Sequence, residues 1–315
     1  MQSDKKHRTA RSRKRLLKRR LTYVLAIMVA FILIGVLAYA FLSPRSSTII
    51  DSTPKIAIVD QLSTMFPNPT FNQTVQGILN QTGLKIDYYS SQDITVDFYR
   101  SLPSHNYKLI IFRVHSTAET NAKDMPPWVV FFTSENYSRT AHVSEQADMR
   151  VVYVEFPNVT QLYFGITPTF VENSMEGNFN DTTIIAMGCD GLNKTSMAEA
   201  FIEKGAKAYI SWNGFVSIDH TDEATECLLR DLVTENQTVQ ESVNETMNEV
   251  GPDPIDKSVL MFYPDNAGAS FLLLSATTGA PSVMATPAVS ACAFINATIA
   301  APTFKTARRN TNKKD

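Results

Sequence analysis

The chain has 315 residues, 44% of them hydrophobic and 19% charged, which supplies one sizeable core and excludes disorder as its main state. Its net charge of −2 conceals a split: residues 1–20 carry ten of the 29 Lys and Arg and one of the 31 Asp and Glu, leaving 19 basic against 30 acidic side chains beyond them. That acidic remainder excludes a nucleic-acid binder by charge. Three cysteines, Cys189, Cys227 and Cys292, are too few for a disulfide framework and lack metal-ligand spacing.

Residues 21–42 contain no charged side chain. At about 1.5 Å per residue they are long enough to cross a hydrocarbon core of about 30 Å. The basic tail 1–20 abuts this stretch and stays cytoplasmic, so the pattern predicts a single-pass cell-membrane protein whose domain after about Ser43 is extracytoplasmic. Ala38-Tyr39-Ala40 offers a small-residue cleavage site, but the apolar stretch exceeds the usual signal-peptide length, which favours an uncleaved anchor. Asn-x-Ser/Thr sites at Asn72, Asn80, Asn136, Asn158, Asn180, Asn193, Asn236, Asn244 and Asn296 predict a glycosylated external domain.

A linker rich in Ser, Pro and Thr, 43–54, leads into an α/β ectodomain expected over 55–275. Residues 55–60 read as a first strand, 71–81 as a helix ending at Gly83, 84–89 as a second strand, 96–102 as a short helix and 109–114 as a third strand. An insertion at 117–181 breaks the rhythm: 128–133 and 150–156 look like an antiparallel hairpin with no helix between. The alternation returns with a strand at 183–187, a helix at 196–204 closed by Gly205, a strand at 208–212, helices at 219–234 and 239–250, and a sixth strand at 258–263. This order predicts a mostly parallel six-stranded sheet with helices on both faces. Residues 266–304 carry no charge but are interrupted by Pro281, Pro287 and Pro302, so a terminal strand and an extended tail, 276–315, are expected rather than a second span.

There is no Gly-x-Ser-x-Gly elbow, His-Glu-x-x-His, P-loop or Gly-x-Gly-x-x-Gly. Two strands instead end in chemistry: LIIFRVHS delivers His115 and TTIIAMGCDG delivers Cys189. In open parallel sheets, sites collect beyond the carboxyl ends of the strands. An imidazole brought beside a thiol there can take its proton and leave a nucleophilic thiolate.

These two strand ends, with the stretch GAKAYISWNGFVSIDHTDEATECLL over 205–229, resemble the clan CD cysteine peptidases, the group of caspases, legumains, gingipains and separases. The resemblance spans about residues 55–263 in element order. It implies a caspase-like fold and peptide-bond hydrolysis, with His115 as general base and Cys189 as nucleophile. It also implies an oxyanion hole from the backbone N–H groups of Ser116 and Cys189, a peptide or protein substrate outside the cell, no metal and no organic cofactor. Two departures stand out: Ser116 replaces the family's Gly, and Gly188 precedes the Cys where Ala is common.

Each residue also has a plainer reading. A Cys after an apolar run is often core, and Cys227, on the apolar stripe of its helix, reads so. Asp190 orients an imidazole, selects a basic substrate side chain, or simply makes a turn. Asp219 reads as a helix cap, and Trp128 and Trp212 as packing residues. The alternative function is a catalytically inactive ectodomain of the same fold that binds a ligand through the insertion, and a third is a purely structural envelope protein.

Overall fold

The apolar runs of the sequence become the strands of one sheet. The computed structural model describes residues 28–29, 53–118, 128–156 and 159–272, and the chain divides into two units, Met1–Ile50 and Asp51–Asp315. In the first unit Met28 and Val29 are described, both helical. The rest of the expected span 21–42 lies outside the described residues, as do 43–52 and the tail beyond 272. No helix among the described residues is long and apolar enough to cross a membrane.

In the second unit, Lys55–Asp60 (β1), Lys85–Ser90 (β2) and Tyr107–Arg113 (β3) form a parallel core with β1 in the middle. Thr182–Ala186 (β8) and Ala206–Trp212 (β9) continue it in parallel, and Leu260–Tyr263 (β10) closes it antiparallel, giving the order β10-β9-β8-β3-β1-β2. Every residue of β1 and β8 is buried. Their continuous apolar runs, in place of an alternating pattern, reflect burial on both faces.

The two faces carry different helices. Ile56, Ile58, Leu109, Ile111, Ile185 and Met187 pack under Pro69–Leu79 (α1), Ile218–Leu229 (α6) and Val239–Glu249 (α7), through Phe71, Val75, Leu228 and Val243. On the opposite face Ala57, Val59, Ile110, Phe112, Ile184 and Ala186 meet Val96–Ser101 (α2), Pro168–Asn173 (α4) and Ser196–Glu203 (α5), through Tyr99, Phe170 and Phe201. The α/β class and a mostly parallel six-stranded sheet with helices on both faces are therefore as the sequence predicts, within a residue or two at most ends.

The insertion differs from expectation. Ser116–Thr117 (β4), Val130–Asn136 (β5), Val151–Glu155 (β6) and Leu162–Ile166 (β7) form a second, antiparallel sheet of order β4-β5-β7-β6. The two strands read as a hairpin are not neighbours, because β7 lies between them, and the helix Val143–Ala147 (α3) connects them. Gly165 in β7 breaks the β-branched pattern that marks a strand. A Cβ there would lie 2.6 Å from both Val130 and Val154. Glycine is the residue that lets its neighbours pack so closely over a strand.

Candidate active site

His115 and Cys189 leave adjacent strands at the same end. The β3–β8 ladder runs in register from Leu109↔Thr183 to Phe112↔Ala186, and the Met187 amide donates to the Phe112 carbonyl at 2.9 Å. Carried three residues on, this register sets position 115 opposite 189. Side chains alternate across a strand, and Leu109, Ile111, Ile185 and Met187 share the face covered by α1 and α6. The same parity holds for Arg113, whose guanidinium lies over the Phe71 ring of α1, and Cys189 packs at the edge of the same cluster.

The two strand ends approach closely at Gly188 and Ser116. A Cβ on Gly188 would lie 2.5 Å from the Val114 carbonyl oxygen and clash with the Ser116 hydroxyl, so glycine is what lets the Cys turn meet the His segment. Ser116 belongs to β4, with extended backbone, and its hydroxyl donates to the Cys189 carbonyl at 2.6 Å. A serine here thus ties the two strand ends together.

The side chains at this end are held apart. The His115 ring sits among Phe156, Phe132 and Phe66, with centroids 4.9, 5.8 and 5.9 Å away. Among the described residues it makes no hydrogen bond, and its own amide donates to Gln61 Oε1 at 3.1 Å. Burial alone pushes the imidazole down to about 4, so the ring is neutral at physiological pH. Cys189 Sγ faces the other way, 3.5 Å from the Val216 amide and 3.6 Å from its carbonyl. Burial pushes this thiol above its ordinary value; the Val216 amide opposes the shift and the charges of Asp190, Asp256 and Asp253 add to it. The expected imidazole-lowered thiol is therefore not the resting state: the thiol is protonated, with no cation beside it among the described residues.

Three loops buttress this centre. Asp190 is buried and adopts a positive φ of 60°. Its Oδ2 accepts from the Ala118 amide at 3.2 Å and its Oδ1 from Asn193 at 2.8 Å, so it staples the turn and makes no contact with the imidazole. Asp219 is not the helix cap: α6 begins one residue earlier, with Ser217 as N-cap, and Asp219 is an exposed first-turn residue. Ser217 is itself held by Asp253, which accepts from its amide at 2.9 Å and from its hydroxyl through a very short hydrogen bond. Burial works against the Asp253 charge, yet these bonds and the amides of Asp256 and Ile255 hold its carboxyl below the usual range.

Sequence reasoning missed one component of the site. Arg113, two residues before His115, is 1% exposed. Its Nε and Nη2 donate to Asp222 of α6 at 2.8 Å each, and its Nη1 donates to Asp60 of β1 and to the Phe66 carbonyl at 3.0 Å each. Arginine's planar fork suits this bidentate pairing. The visible signal was an Arg inside the apolar run LIIFRVHS, since an Arg is almost never fully buried unless paired.

The other candidates fall into place around this centre. Cys227 is buried and Trp212 is buried with its Nε1 donating to Thr221, as packing residues should be. Among the described residues no group of His, Cys, Asp and Glu is arranged to hold a metal ion. Of the sequon asparagines, Asn158 and Asn296 lie outside the described residues, while Asn80, Asn136, Asn180, Asn193, Asn236 and Asn244 are exposed. Asn72 differs: its Nδ2 donates to both Asp60 at 3.3 Å and Tyr88 at 3.1 Å. A scan against protein-family models finds no match for this chain, and a search of curated proteins finds none.

Proposed function

We propose that this chain is a membrane-anchored, extracytoplasmic protein of caspase-like fold whose ectodomain hydrolyses peptide bonds with a His115–Cys189 pair. The observation that carries this reading is the emergence of the two residues from neighbouring parallel strands at the carboxyl end of the sheet, where the Ser116 hydroxyl ties the two segments together. With both groups neutral at rest, the imidazole acts as general base during attack. It takes the thiol proton as sulfur adds to the scissile carbonyl, and the amides of Ser116 and Cys189 receive the developing oxyanion. Collapse expels the amine with the proton held on the imidazolium, and water then hydrolyses the thioester.

A second reading, an inactive ectodomain that binds its partner through the second sheet, draws on the caged imidazole and the raised thiol. Six exposed sequons in the described residues support glycosylation of the same domain. Asn72 is the exception, because a glycan replaces one of the two Nδ2 hydrogens that it spends on Asp60 and Tyr88. The deciding experiment is labelling of the purified chain by an electrophilic peptide ketone. Labelling lost in both Cys189→Ala and His115→Ala, with thermal stability retained, supports the peptidase. A natively folded chain that is not labelled supports the binding module.

A further inference from the structure

A cavity of about 470 Å³ opens between α1 and the carboxyl end of β2. It is lined by Ser63, Asn68, Asn72, Gln73, Gln76 and Tyr88, with two prolines completing the wall. Every polar group in this lining is an uncharged amide or hydroxyl. The carboxylates behind it are committed: Asp60 Oδ2 accepts from Tyr88 at 2.9 Å and from Asn72, Asp60 Oδ1 accepts from Arg113, and Asp222 Oδ2 accepts from Asn68 at 2.9 Å and from Arg113. Charged ligands therefore find no counter-charge to pair with.

The neutral groups are fixed in place and partly unspent. Tyr88 is 39% exposed, yet its hydroxyl is anchored by Asp60, so the ring presents a rigid apolar face to solvent. Asn72 is committed: both Nδ2 hydrogens go to Asp60 and Tyr88, and its Oδ1 is buried. The Gln73 and Gln76 side chains are exposed, and their amides make no hydrogen bond among the described residues. An aromatic platform with carboxamide donors and acceptors around it matches a ring that is apolar on its C–H face and hydroxylated at its edge.

We propose that this cavity is a saccharide subsite, with Tyr88 as the stacking platform and Gln73 and Gln76 pairing with ring hydroxyls. The inference stands independently of the peptidase reading. Two of the cavity's lining residues, Ser63 and Pro67, flank Phe66, whose ring packs against that of His115 at 5.9 Å.

The test is saturation-transfer NMR on the full chain, held in a detergent without a sugar headgroup. The probes are glucose, galactose, mannose and N-acetylglucosamine at millimolar concentration, with glucuronate and a blocked glycine amide as comparators. Binding in the millimolar range is expected for ligands of about a dozen non-hydrogen atoms. Transfer to the C–H face of at least one neutral sugar should vanish in Tyr88→Ala. It should weaken several-fold in the Gln73→Ala/Gln76→Ala pair, whose exposed side chains leave the fold intact. Tyr88→Phe, which keeps the ring, should retain it in part. Absence of transfer from every neutral sugar, transfer unchanged in Tyr88→Ala and in the glutamine pair, or preference for glucuronate or the glycine amide would each overturn the proposal.

Discussion

Replacing Arg113 by methionine keeps the length of the side chain and removes the cation that three segments share. Four hydrogen bonds go at once: two to Asp222, one to Asp60 and one to the Phe66 carbonyl. Asp60 keeps Tyr88 and Asn72, and Asp222 keeps Asn68, but both carboxylates lose their counter-charge in a setting where each is nearly inaccessible. Breaking a buried pair by deleting one partner costs roughly 3–5 kcal/mol. For a domain of this size about 2–4 °C accompanies each kcal/mol, so the midpoint should fall by roughly 6–20 °C. Thermal denaturation at neutral pH measures the loss, and adding Asp222→Asn to Arg113→Met should restore part of it by deleting one stranded charge. A midpoint within about 2 °C of the parent, or a double variant no better than the single one, would refute the view that this guanidinium holds the carboxyl end of the sheet together.

Because burial pushes His115 down to about 4, its ring should stay neutral in an NMR titration from pH 8 to pH 5. The unfolded chain gains this proton near 6.5 and the folded one only near 4, so stability present above 6.5 should decline by of order 3 kcal/mol towards pH 4. His115→Phe should lack that component of the decline. The opposite sign belongs to Asp231, buried where α6 approaches α7 and pushed up to about 7 by burial and then by Glu249 and Glu245. Its contribution is full below about 3.8 and lost as pH rises through 7, so Asp231→Asn should stabilise the domain by of order 2–4 kcal/mol at pH 8 and change little at pH 4. Gly188→Ala drives a Cβ against the Val114 carbonyl, a backbone atom that cannot swing aside. It should cost about 1–3 kcal/mol in denaturant unfolding and reduce labelling of Cys189, whereas Gly77→Ala, with no atom within 4 Å of the new Cβ, should not destabilise.

The strands of the main sheet were legible because burial on both faces leaves unbroken apolar runs between polar turns, as in KIAIVD and TTIIA. Helix ends were legible where a glycine takes a positive φ, as at Gly83 and Gly205. The insertion was harder to read, since β7 holds a glycine and both β4 and α3 are too short to show a period. At the site, sequence supplied which residues stand at the strand ends but not where their side chains point. Phe132 and Phe156, which surround the imidazole with Phe66, lie in the insertion, and Val216, which holds the sulfur, follows β9. Such contacts between distant segments leave no local pattern. Asp219 was misread for a local reason: Ser217, two residues earlier, spends its hydroxyl on Asp253 instead of capping, so no side chain marks the start of α6.

The three phenylalanines around His115 have a practical consequence. One comes from the loop after β1 and two from the inserted segment with the second sheet, so the imidazole sits at the seam between the two sheets. Three aromatic rings within 6 Å impose large ring currents on the imidazole protons, moving their signals away from those of exposed histidines. Any ligand that parts the sheets, even slightly, changes those currents before it changes the secondary structure. A single proton line from His115 is therefore a gauge of the gap between the sheets, readable in unlabelled protein.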